Sequence, residues 1–543
     1  MTTAISTGVY LTHLLRAYGV DTVFGIPGVH TIELYRGLAG SGIRHVTPRH
    51  EQGAGFMADG FARACGKPGV CFIISGPGMT NIFTAMGQAY GDSIPMLVIS
   101  TVNAHGRMGS GRGWLHELPD QQAMAAGVSA FSRTIHRPED LAPALAEAFA
   151  VFDSTRPRPV HLELPIDVML ADAGHLPLPE TVLRVGRAGP DPALVGRAAE
   201  WLSGAQNPLI LAGGGALGAA NVLPDLAKAL DAPVVMTTNA RGLLPPGHPL
   251  AVTLSPSMPA TRALIAAADV VLAIGTEFGP TDYDMYEDDG LTLPGRLIRL
   301  EIDPVQALRG ARPALVLTGD ARLGVAALQA AIPPRPAGTG AARAADAQAG
   351  IGALSGLMRA DLALLNLVRD TLPEALIAGD STQLVYSGNT AFAAARPGGY
   401  FNSATGFGTL GYGLPAAIGA ALADDAPVIC LTGDGGLQFC LSELTSAVEA
   451  RAPVIMLLHD NDGYAEIKSA MVAQNVPPLG VDILTPDLSA IARACGWQVV
   501  DLEGAEDPVA EFTAALRQAV TSAASGGQVM IRFTDTLRRA FLR

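Results

Sequence analysis

The sequence predicts an α/β protein built from three doubly wound domains, each with a parallel sheet. Short apolar runs alternate with helical patterns along the 543 residues, as in sheets whose strands are joined by crossover helices. Two segments rich in proline and glycine, 173–192 and 333–350, interrupt this alternation and are interpreted as linkers. We therefore expect domains over residues 1–172, 193–332 and 358–543.

The first domain shows the alternation most clearly. Its sequence predicts an amphipathic helix over residues 8–18 and buried strands over 22–26, 70–75, 96–101 and 160–164. The third domain alternates in the same way. The two domains are therefore interpreted as versions of one fold.

The central domain contains a glycine-rich turn. Gly213, Gly215 and Gly218 follow the predicted strand 209–212 and match G-x-G-x-x-G, the dinucleotide fingerprint. The next predicted strand, 233–238, ends in Thr238 and Asn239 rather than in the acidic residue that holds a ribose. We therefore favour a tight strand-to-helix turn in a structural domain over a nicotinamide site.

Composition and charge narrow the class of partner. The formal net charge of −14 disfavours nucleic acid and anionic membranes as partners. No apolar run approaches the roughly 20 residues of a membrane span, and residues 1–7 lack a secretory pattern. The five cysteines are odd in number and show no metal-ligand spacing, so we expect reduced, buried thiols in a cytoplasmic protein.

One strand–helix–strand unit near the C-terminus carries the strongest functional signal. Apolar runs over 427–432 and 453–458 flank a helical pattern, so the two strands should be parallel and end at one edge of the sheet. Asp434 and Asn461 follow these strand ends, 461 − 434 = 27 residues apart, and should lie side by side there. Their oxygens, with a nearby backbone carbonyl that we assign to Gly463, suit Mg²⁺. Glycines after the first strand let a diphosphate approach the backbone at a helix N-terminus. They are Gly433, Gly435 and Gly436.

This unit resembles the fingerprint of the thiamine diphosphate (ThDP) enzymes, in which Gly-Asp-Gly is followed, some two dozen residues later, by Asn-x-Gly. Asp460 stands where the commoner form has the first of two asparagines. The resemblance implies bound ThDP and Mg²⁺. It spans essentially the whole chain, in the order pyrimidine-binding, central and diphosphate-binding domain. Further positions that hold the cofactor in this family match Ser381, Thr382, Gly408, Leu410 and Tyr464. Leu410 falls on the bulky wedge beneath the bent cofactor, which favours reaction by proximity.

The first domain resembles the family segment that activates ThDP. Residues 49–54 and 57–63 match it, and the resemblance makes Glu51 the acid that contacts the aminopyrimidine. It also implies that Glu51 is buried, so that the acid stays protonated or shares a proton. A surface ion pair involving Arg49 is the alternative for Glu51 taken alone. In this family the cofactor-binding domains meet across a dimer, so we expect a homodimer or homotetramer with shared active sites.

The family's opening reaction is the loss of carbon dioxide from a 2-oxo acid, a small-molecule substrate. The acetolactate synthases of the family are broadly similar to this sequence, but they bind FAD through a central-domain segment that carries arginine. Residues 277–286 contain no arginine, so FAD is not expected. Segments 28–35, 115–119 and 280–286 look most similar to decarboxylases of 5-guanidino-2-oxopentanoate, which release 4-guanidinobutanal. The alternatives are an acetolactate synthase-type carboligase that forms an acyloin, and a noncatalytic ThDP-fold protein or nicotinamide-binding regulator.

Side chains beside the expected pocket complete the prediction. His30 and His116 are candidate proton donors because histidine titrates near neutral pH, and a packed, hydrogen-bonded histidine is the alternative for each. A cationic guanidinium would need carboxylates at the pocket mouth. The candidates are Glu117, Asp120 and Glu466. Glu466 could also be catalytic, or could pair with Lys468.

Overall fold

The computed structural model describes residues 5–178, 181–283, 291, 293 and 295–542. In these residues, three six-stranded sheets account for all the named strands, and every pairing between these strands is parallel. This architecture confirms the predicted α/β fold with three parallel-sheet domains.

The strands divide evenly among the three sheets. The first sheet contains β1 (Thr22–Gly25), β2 (Arg44–Val46), β3 (Gly69–Ile73), β4 (Met96–Val102), β5 (Phe131–Thr134) and β6 (Val160–Pro165). The central sheet contains β7 (Pro208–Ala212), β8 (Val234–Met236), β9 (Ala251–Val252), β10 (Val270–Ile274), β11 (Arg296–Glu301) and β12 (Leu315–Thr318). The third sheet contains β13 (Leu376–Gly379), β14 (Tyr400–Asn402), β15 (Val428–Gly433), β16 (Val454–His459), β17 (Gln498–Asp501) and β18 (Val529–Phe533).

The strand orders relate the domains to one another. The first sheet runs β2-β1-β3-β4-β6-β5 and the third runs β14-β13-β15-β16-β18-β17. The two orders are identical when the strands of each sheet are numbered from its own first strand. The central sheet runs β12-β11-β10-β7-β8-β9, the order of the doubly wound dinucleotide-binding fold. The first and third domains are therefore two copies of one topology, as the sequence predicts.

Helices connect the strands of each sheet. In the first domain they are α1 (Thr7–Ala17), α2 (Ile32–Leu38), α3 (Glu51–Cys65), α4 (Pro77–Asp92), α5 (Gln121–Ala126), α6 (Leu141–Ser154) and α7 (Ile166–Leu170). Those of the central domain are α8 (Pro192–Gly204), α9 (Leu223–Leu230), α10 (Pro259–Ala266), α11 (Pro280–Tyr283) and α12 (Ala321–Ala331). The remainder are α13 (Gly340–Gln348), α14 (Gly356–Thr371), α15 (Gln383–Ala391), α16 (Gly413–Ala421), α17 (Asp434–Leu437), α18 (Glu443–Glu449), α19 (Ala465–Ala473), α20 (Leu488–Ala494), α21 (Pro508–Ala524) and α22 (Asp535–Ala540).

Two local features differ from the sequence prediction. The second linker contains α13, because its alanines favour a helix, on which Ala344 and Ala347 are buried. Asp231 accepts hydrogen bonds from backbone N–H groups where this helix begins. The helix predicted after Asp434 is divided into α17 and α18. Glycines in its first turn weaken helix propagation there.

The glycine-rich turn of the central domain is used for packing. A Cβ on Gly213 would lie 2.3 Å from the Gly275 carbonyl oxygen, and the Gly215 N–H donates to that oxygen at 3.0 Å. The residues after it form a short 3-10 helix, Gly214–Ala219. Thr238 N–H donates to Asp282 of α11 at 3.3 Å. Of the segment 280–286, residues 284–286 lie outside the described residues.

The first and third domains pack backbone to backbone through α3 and α16. A Cβ on Gly60 would lie 2.0 Å from the Ala416 carbonyl oxygen, and one on Gly419 would lie 1.8 Å from that of Met57. Only glycine allows this approach. The contact fixes the relative positions of the two sheets within one chain.

A buried charged cluster joins all three domains at the same junction. Arg63 donates to Asp59 and to Asp92 at 2.6 Å each, and all three side chains are almost completely buried. Tyr412 donates to Asp59 at 2.5 Å, and Asn239 of the central domain donates to Asp92 at 3.2 Å. Removing one member would leave an uncompensated buried charge, so the cluster fixes the junction strongly.

Within the described part of the chain, no single helix is long and apolar enough to cross a membrane. One bent pair, Gly340–Ala353 and Gly356–Thr371, passes on length and composition with an angle of 118° between its halves. The five cysteines are free thiols, three of them buried and two half-buried.

Candidate active site

The ends of β15 and β16 lie side by side, because the two strands pair in parallel register along their length. Asp434 begins α17 there and is buried. Its Oδ2 accepts hydrogen bonds from the Gly463 N–H and the Thr485 hydroxyl, both at 2.8 Å. Its Oδ1 accepts from the Asn461 N–H at 3.3 Å. These bonds hold the loop after β16 against the start of α17.

Three oxygens converge at this edge of the sheet. The Asn461 amide oxygen lies 3.1 Å from the Gly463 carbonyl oxygen and 3.2 Å from Asp434 Oδ1. None of the three can donate a hydrogen bond, so they repel unless a cation lies between them or the amide turns its nitrogen inward. Oxygens at right angles around Mg²⁺ are about 3 Å apart, because each metal–oxygen distance is about 2.1 Å. The separations therefore fit Mg²⁺ held by a carboxylate, an amide and a carbonyl.

A cradle of small residues lies beside these oxygens. A Cβ on Gly435 would lie 2.8 Å from the Tyr464 ring, and one on Gly433 would lie 3.1 Å from the Thr382 hydroxyl oxygen. The Ser381 and Thr382 hydroxyls lie just before α15, and Gly436 is buried in the first turn of α17. Hydroxyls and bare backbone N–H groups are the donors that a diphosphate needs.

Asp380, which follows β13, fixes the segment that carries Leu410. Its carboxylate accepts from three backbone N–H groups at 2.8, 3.0 and 3.3 Å, those of Ser381, Gly411 and Gly413. Burial raises the pKa of this carboxyl group to about 6. Leu410 is half-buried, and Gly408 is exposed with a φ of 71°.

Glu51 begins α3 at the corresponding edge of the first domain. Its Oε2 accepts from the Asn81 side chain at 2.8 Å. The side chain is half-buried in the single chain, whereas the resemblance implies that it is buried. Arg49 contacts Glu449 of the third domain, so the predicted alternative of an ion pair with Glu51 is not formed. Among the described residues, no hydrogen bond joins Glu51 to the site around Asp434.

The third domain positions the start of α3 through Glu443. Glu443 Oε1 accepts from the backbone N–H groups of Arg49 at 3.0 Å and His50 at 3.1 Å. A Cβ on Gly53 would lie 2.4 Å from the same oxygen. Burial raises the pKa of Glu443. The turn that presents Glu51 is thus fixed by the third domain of the same chain.

His30 and His116 lie together beyond the ends of β1 and β3. Their ring centroids are 5.2 Å apart in an edge-to-face arrangement, and His30 Nδ1 lies 2.7 Å from the Ser75 hydroxyl oxygen. Burial, and then the neighbouring His116, lower the pKa of His30. In the described structure, His116 Nδ1 is buried without a hydrogen-bond partner, and its backbone is left-handed with a φ of 60°. The pair therefore presents an unpaired nitrogen beside a hydroxyl-bound imidazole.

Comparison with known proteins identifies the family. Family models of the thiamine pyrophosphate enzymes match residues 5–124 (N-terminal TPP binding domain), 195–330 (central domain) and 380–533 (C-terminal TPP binding domain). A protein of Pseudomonas aeruginosa, "Probable 2-ketoarginine decarboxylase AruI", is 47% identical over 501 residues, covering 91% of this chain and 89% of the relative. The chain belongs to the thiamine pyrophosphate enzymes.

Two further similarities agree with this family. Acetolactate synthase isozyme 1 large subunit of Escherichia coli (strain K12) is 29% identical over 518 residues, 93% of this chain and 90% of the relative. A solved structure from Mycobacterium smegmatis, assigned to the thiamin diphosphate-dependent enzymes, has a TM-score of 0.79 at 24% identity, covering 97% of this chain and 99% of that chain. The latter supports the fold alone. This thiamine pyrophosphate enzyme is a ThDP-dependent decarboxylase or carboligase.

The enzyme departs from the common asparagine pair at Asp460 for a structural reason. Arg532 of β18 donates from Nε to Asp460 Oδ2 at 2.8 Å. Asp460 Oδ1 accepts from the Asp462 N–H at 3.4 Å. A carboxylate suits this position because its partner is a cation. Asp460 therefore anchors the predicted metal loop, residues 460–463, to the neighbouring strand β18.

Two of the acidic residues predicted to bind a guanidinium accept hydrogen bonds from the backbone of nearby residues. Glu117 accepts from the Ser110 hydroxyl and from three N–H groups of residues 111–114, at 2.7–3.0 Å. These bonds lower the pKa of Glu117, with the Ser110 bond the largest cause. Asp120 caps α5 and accepts from the Ala123 N–H at 2.8 Å. Glu117 is thus committed to its loop through both oxygens, which argues against its prediction as a guanidinium ligand, whereas the hydrogen bond to Asp120 uses Oδ1 alone.

Glu466 is the acidic candidate next to the loop after β16. It lies exposed in the first turn of α19 and accepts one bond on Oε2, from Gln383 Nε2 at 3.3 Å. Lys468 pairs with Asp482 at 2.6 Å rather than with Glu466, so that alternative is not formed. Glu466 therefore keeps a carboxylate available beside the metal loop.

Sequence reasoning missed Gln383, which contacts Asn461, and Thr485, which contacts Asp434. Thr485 reaches Asp434 across 51 residues of chain, and Gln383 Oε1 lies 3.5 Å from Asn461 Nδ2 across 78. Neither contact has a spacing signal, because each depends on how separate loops meet after the sheet has formed.

Proposed function

We propose that the enzyme decarboxylates 5-guanidino-2-oxopentanoate (2-ketoarginine) to 4-guanidinobutanal and carbon dioxide, using ThDP and Mg²⁺. The observation that carries this proposal is the 47% identity, over 91% of the chain, to the Pseudomonas aeruginosa relative named a 2-ketoarginine decarboxylase. The chemistry of the site supports the same reaction class.

Asp434, Asn461 and the Gly463 carbonyl would hold Mg²⁺, because their oxygens already converge at the separations that the ion requires. Ser381, Thr382 and the glycines of α17 would hold the diphosphate. When bound, ThDP supplies the electron sink for the bond to the leaving carboxylate. Leu410 would support the cofactor from the rim of the cradle.

The remaining residues move or hold protons and charge. Glu51 would hold a proton at its carboxyl group, oriented by the 2.8 Å bond from Asn81. His30 and His116 would donate a proton to the product, since Ser75 occupies His30 Nδ1 and leaves Nε2 for the pocket. Glu466 would face the guanidinium or take part in proton transfer.

The active assembly in this proposal is a homodimer or homotetramer with shared sites. Its support is that, among the described residues, no hydrogen bond joins Glu51 to the Asp434 site of the same chain, and that large apolar side chains next to site residues are exposed. Val29, Leu115, Phe407 and Phe439 are 65%, 59%, 59% and 55% exposed. Apolar side chains exposed at the edge of a site could be buried by a second subunit.

A charge-selective assay tests the substrate assignment. Glu466→Gln should lower kcat/KM for 5-guanidino-2-oxopentanoate by about 10- to 100-fold, because a hydrogen bond to a charged group contributes about 1.5–3 kcal/mol. The neutral substrate 2-oxohexanoate should be unaffected if Glu466 binds the guanidinium. Equal losses for both substrates would assign Glu466 to the chemistry instead. A wild type that prefers 2-oxohexanoate would contradict the guanidino substrate.

Carboligation is the second candidate function, favoured by the 29% identity to the Escherichia coli acetolactate synthase subunit. It would yield an acyloin instead of a free aldehyde. A noncatalytic ThDP-fold protein is disfavoured because Glu51, Asp434 and Asn461 are all present. We further propose that the enzyme does not use FAD, since residues 277–286 lack arginine, and that it acts in the cytoplasm.

A further inference from the structure

Gln383 connects the proposed metal ligand to the last helix of the chain. It is the first residue of α15 and is half-buried. Its Oε1 accepts from Arg538 of α22 at 3.1 Å and from Asn461 Nδ2 at 3.5 Å. Its Nε2 donates to Glu466 at 3.3 Å. One amide side chain thus contacts Asn461, Glu466 and Arg538.

The direction of these bonds is set by Arg538. A guanidinium can only donate, so the Gln383 atom that faces Arg538 must be the oxygen. The carboxylate of Glu466 accepts the Gln383 nitrogen at the other side. Because two facing oxygens would repel, the Asn461 amide presents its nitrogen to the Gln383 oxygen, at 3.5 Å. The Asn461 oxygen is left to face Asp434 Oδ1 at 3.2 Å.

Arg538 is itself held rigidly. It is 4% exposed and donates to both oxygens of Asp361 on α14, at 2.6 and 2.9 Å. A third bond, at 2.8 Å, goes to Asp535, which also bonds the buried His459 at 3.1 Å. A two-pronged bond between a guanidinium and a carboxylate fixes orientation as well as distance. Arg538 therefore presents the second N–H of Nη1 to Gln383 in a fixed direction.

We propose that Arg538 and Gln383 are positioning residues that keep the Asn461 amide oxygen turned toward Asp434, and that they thereby set the affinity of the enzyme for Mg²⁺. The inference rests on the metal site proposed above. Without this relay, the Asn461 amide would turn and donate to Asp434 and to the Gly463 carbonyl, as its distances of 3.2 and 3.1 Å allow. The turned amide would place a nitrogen where the cation needs an oxygen.

The test measures ThDP binding to the full chain by calorimetry at a series of fixed Mg²⁺ concentrations, and reads the half-saturating Mg²⁺ concentration. Gln383→Met should raise it by about 10- to 100-fold, the usual effect of removing a partner that orients a metal ligand. In a Glu466→Gln background, which supplies a donor to face the new carboxylate, Gln383→Glu keeps an acceptor for both Asn461 and Arg538, so its value should stay close to that of Glu466→Gln alone. Arg538→Lys keeps the charge beside Asp361 but loses the two-pronged guanidinium geometry, so the half-saturating Mg²⁺ concentration should rise. The control is Arg539→Met, the exposed neighbour on the same helix, which should change nothing.

A double-mutant cycle separates the relay from the metal site. In an Asn461→Ala background, Gln383→Met should cost nothing further, because there is no amide left to orient. Additive losses would overturn the proposal and assign Gln383 to direct cofactor binding or to the fold. A Gln383→Met value equal to that of the wild type, with Asn461→Ala impaired, would refute the relay alone. If Asn461→Ala itself leaves the Mg²⁺ requirement unchanged, the metal site is wrong and the relay falls with it.

Discussion

Replacing Glu51 by glutamine separates its proton function from its packing. Glutamine keeps the shape of the side chain and an acceptor oxygen for Asn81, which donates to Glu51 at 2.8 Å. Glu51 is half-buried and has no charged partner among the described residues, so the free energy of unfolding should change by less than about 0.5 kcal/mol. Binding of ThDP should survive, because the proposed diphosphate and metal contacts lie in the third domain. The lost property is the ability to relay a proton.

The substitution should slow proton exchange at the reactive carbon of ThDP greatly and change the affinity for ThDP little. Loss of one proton relay commonly slows a reaction by about 10²- to 10⁴-fold, or about 3–5 kcal/mol of barrier. The assay is hydrogen–deuterium exchange at the reactive carbon of bound ThDP, followed by quenched-flow NMR with wild type and Glu51→Gln both saturated with cofactor. Exchange at the same rate in both proteins would refute the reasoning. Glu51 would then have only a structural role at the start of α3.

The other predictions concern the metal, the assembly, flavin and acid stability. Asp434→Ala should abolish ThDP binding in calorimetry, and unchanged affinity would remove Asp434 from the site. Mixing inactive Glu51→Gln and Asp434→Ala subunits should restore some activity, because each mixed dimer can form one intact site; no recovery despite proven subunit exchange would contradict shared sites. The purified enzyme should lack a stoichiometric flavin band in its visible spectrum. Burial lowers the pKa of His161 to about 3, so the unfolded state binds more protons between about pH 6.5 and pH 3 and stability should fall as the pH falls through this range. His161→Gln should flatten that decline in urea unfolding, and an unaltered pH profile would contradict the assignment.

The fold could be predicted from sequence because it follows from periodicity. Buried parallel strands are continuous apolar runs, and the runs at 427–432 and 453–458 became β15 and β16 with one residue of offset at their starts. The side-by-side placement of Asp434 and Asn461 follows directly from two adjacent parallel strands. The helix α13 was missed because a segment rich in alanine and glycine does not by itself reveal the surface on which it packs.

The wider site could not be predicted, because it depends on contacts between distant loops. Glu117 has the right charge for a guanidinium ligand, but its carboxylate is used by the loop 110–114. Glu443 reaches the start of α3 across 394 residues of chain, and Arg538 reaches Gln383 across 155. Hydrogen bonds of this kind have no sequence period. They are visible only when the domains are assembled.

Product analysis with 5-guanidino-2-oxopentanoate tests the central claim most directly. With ThDP and Mg²⁺ present, the enzyme should release carbon dioxide and 4-guanidinobutanal in equal amounts. Carbon dioxide should not form when Mg²⁺ is chelated. A screen of other 2-oxo acids in the same assay should give lower kcat/KM values. Release of carbon dioxide with an acyloin as the main product, or no turnover of the guanidino substrate while pyruvate reacts, would contradict the account.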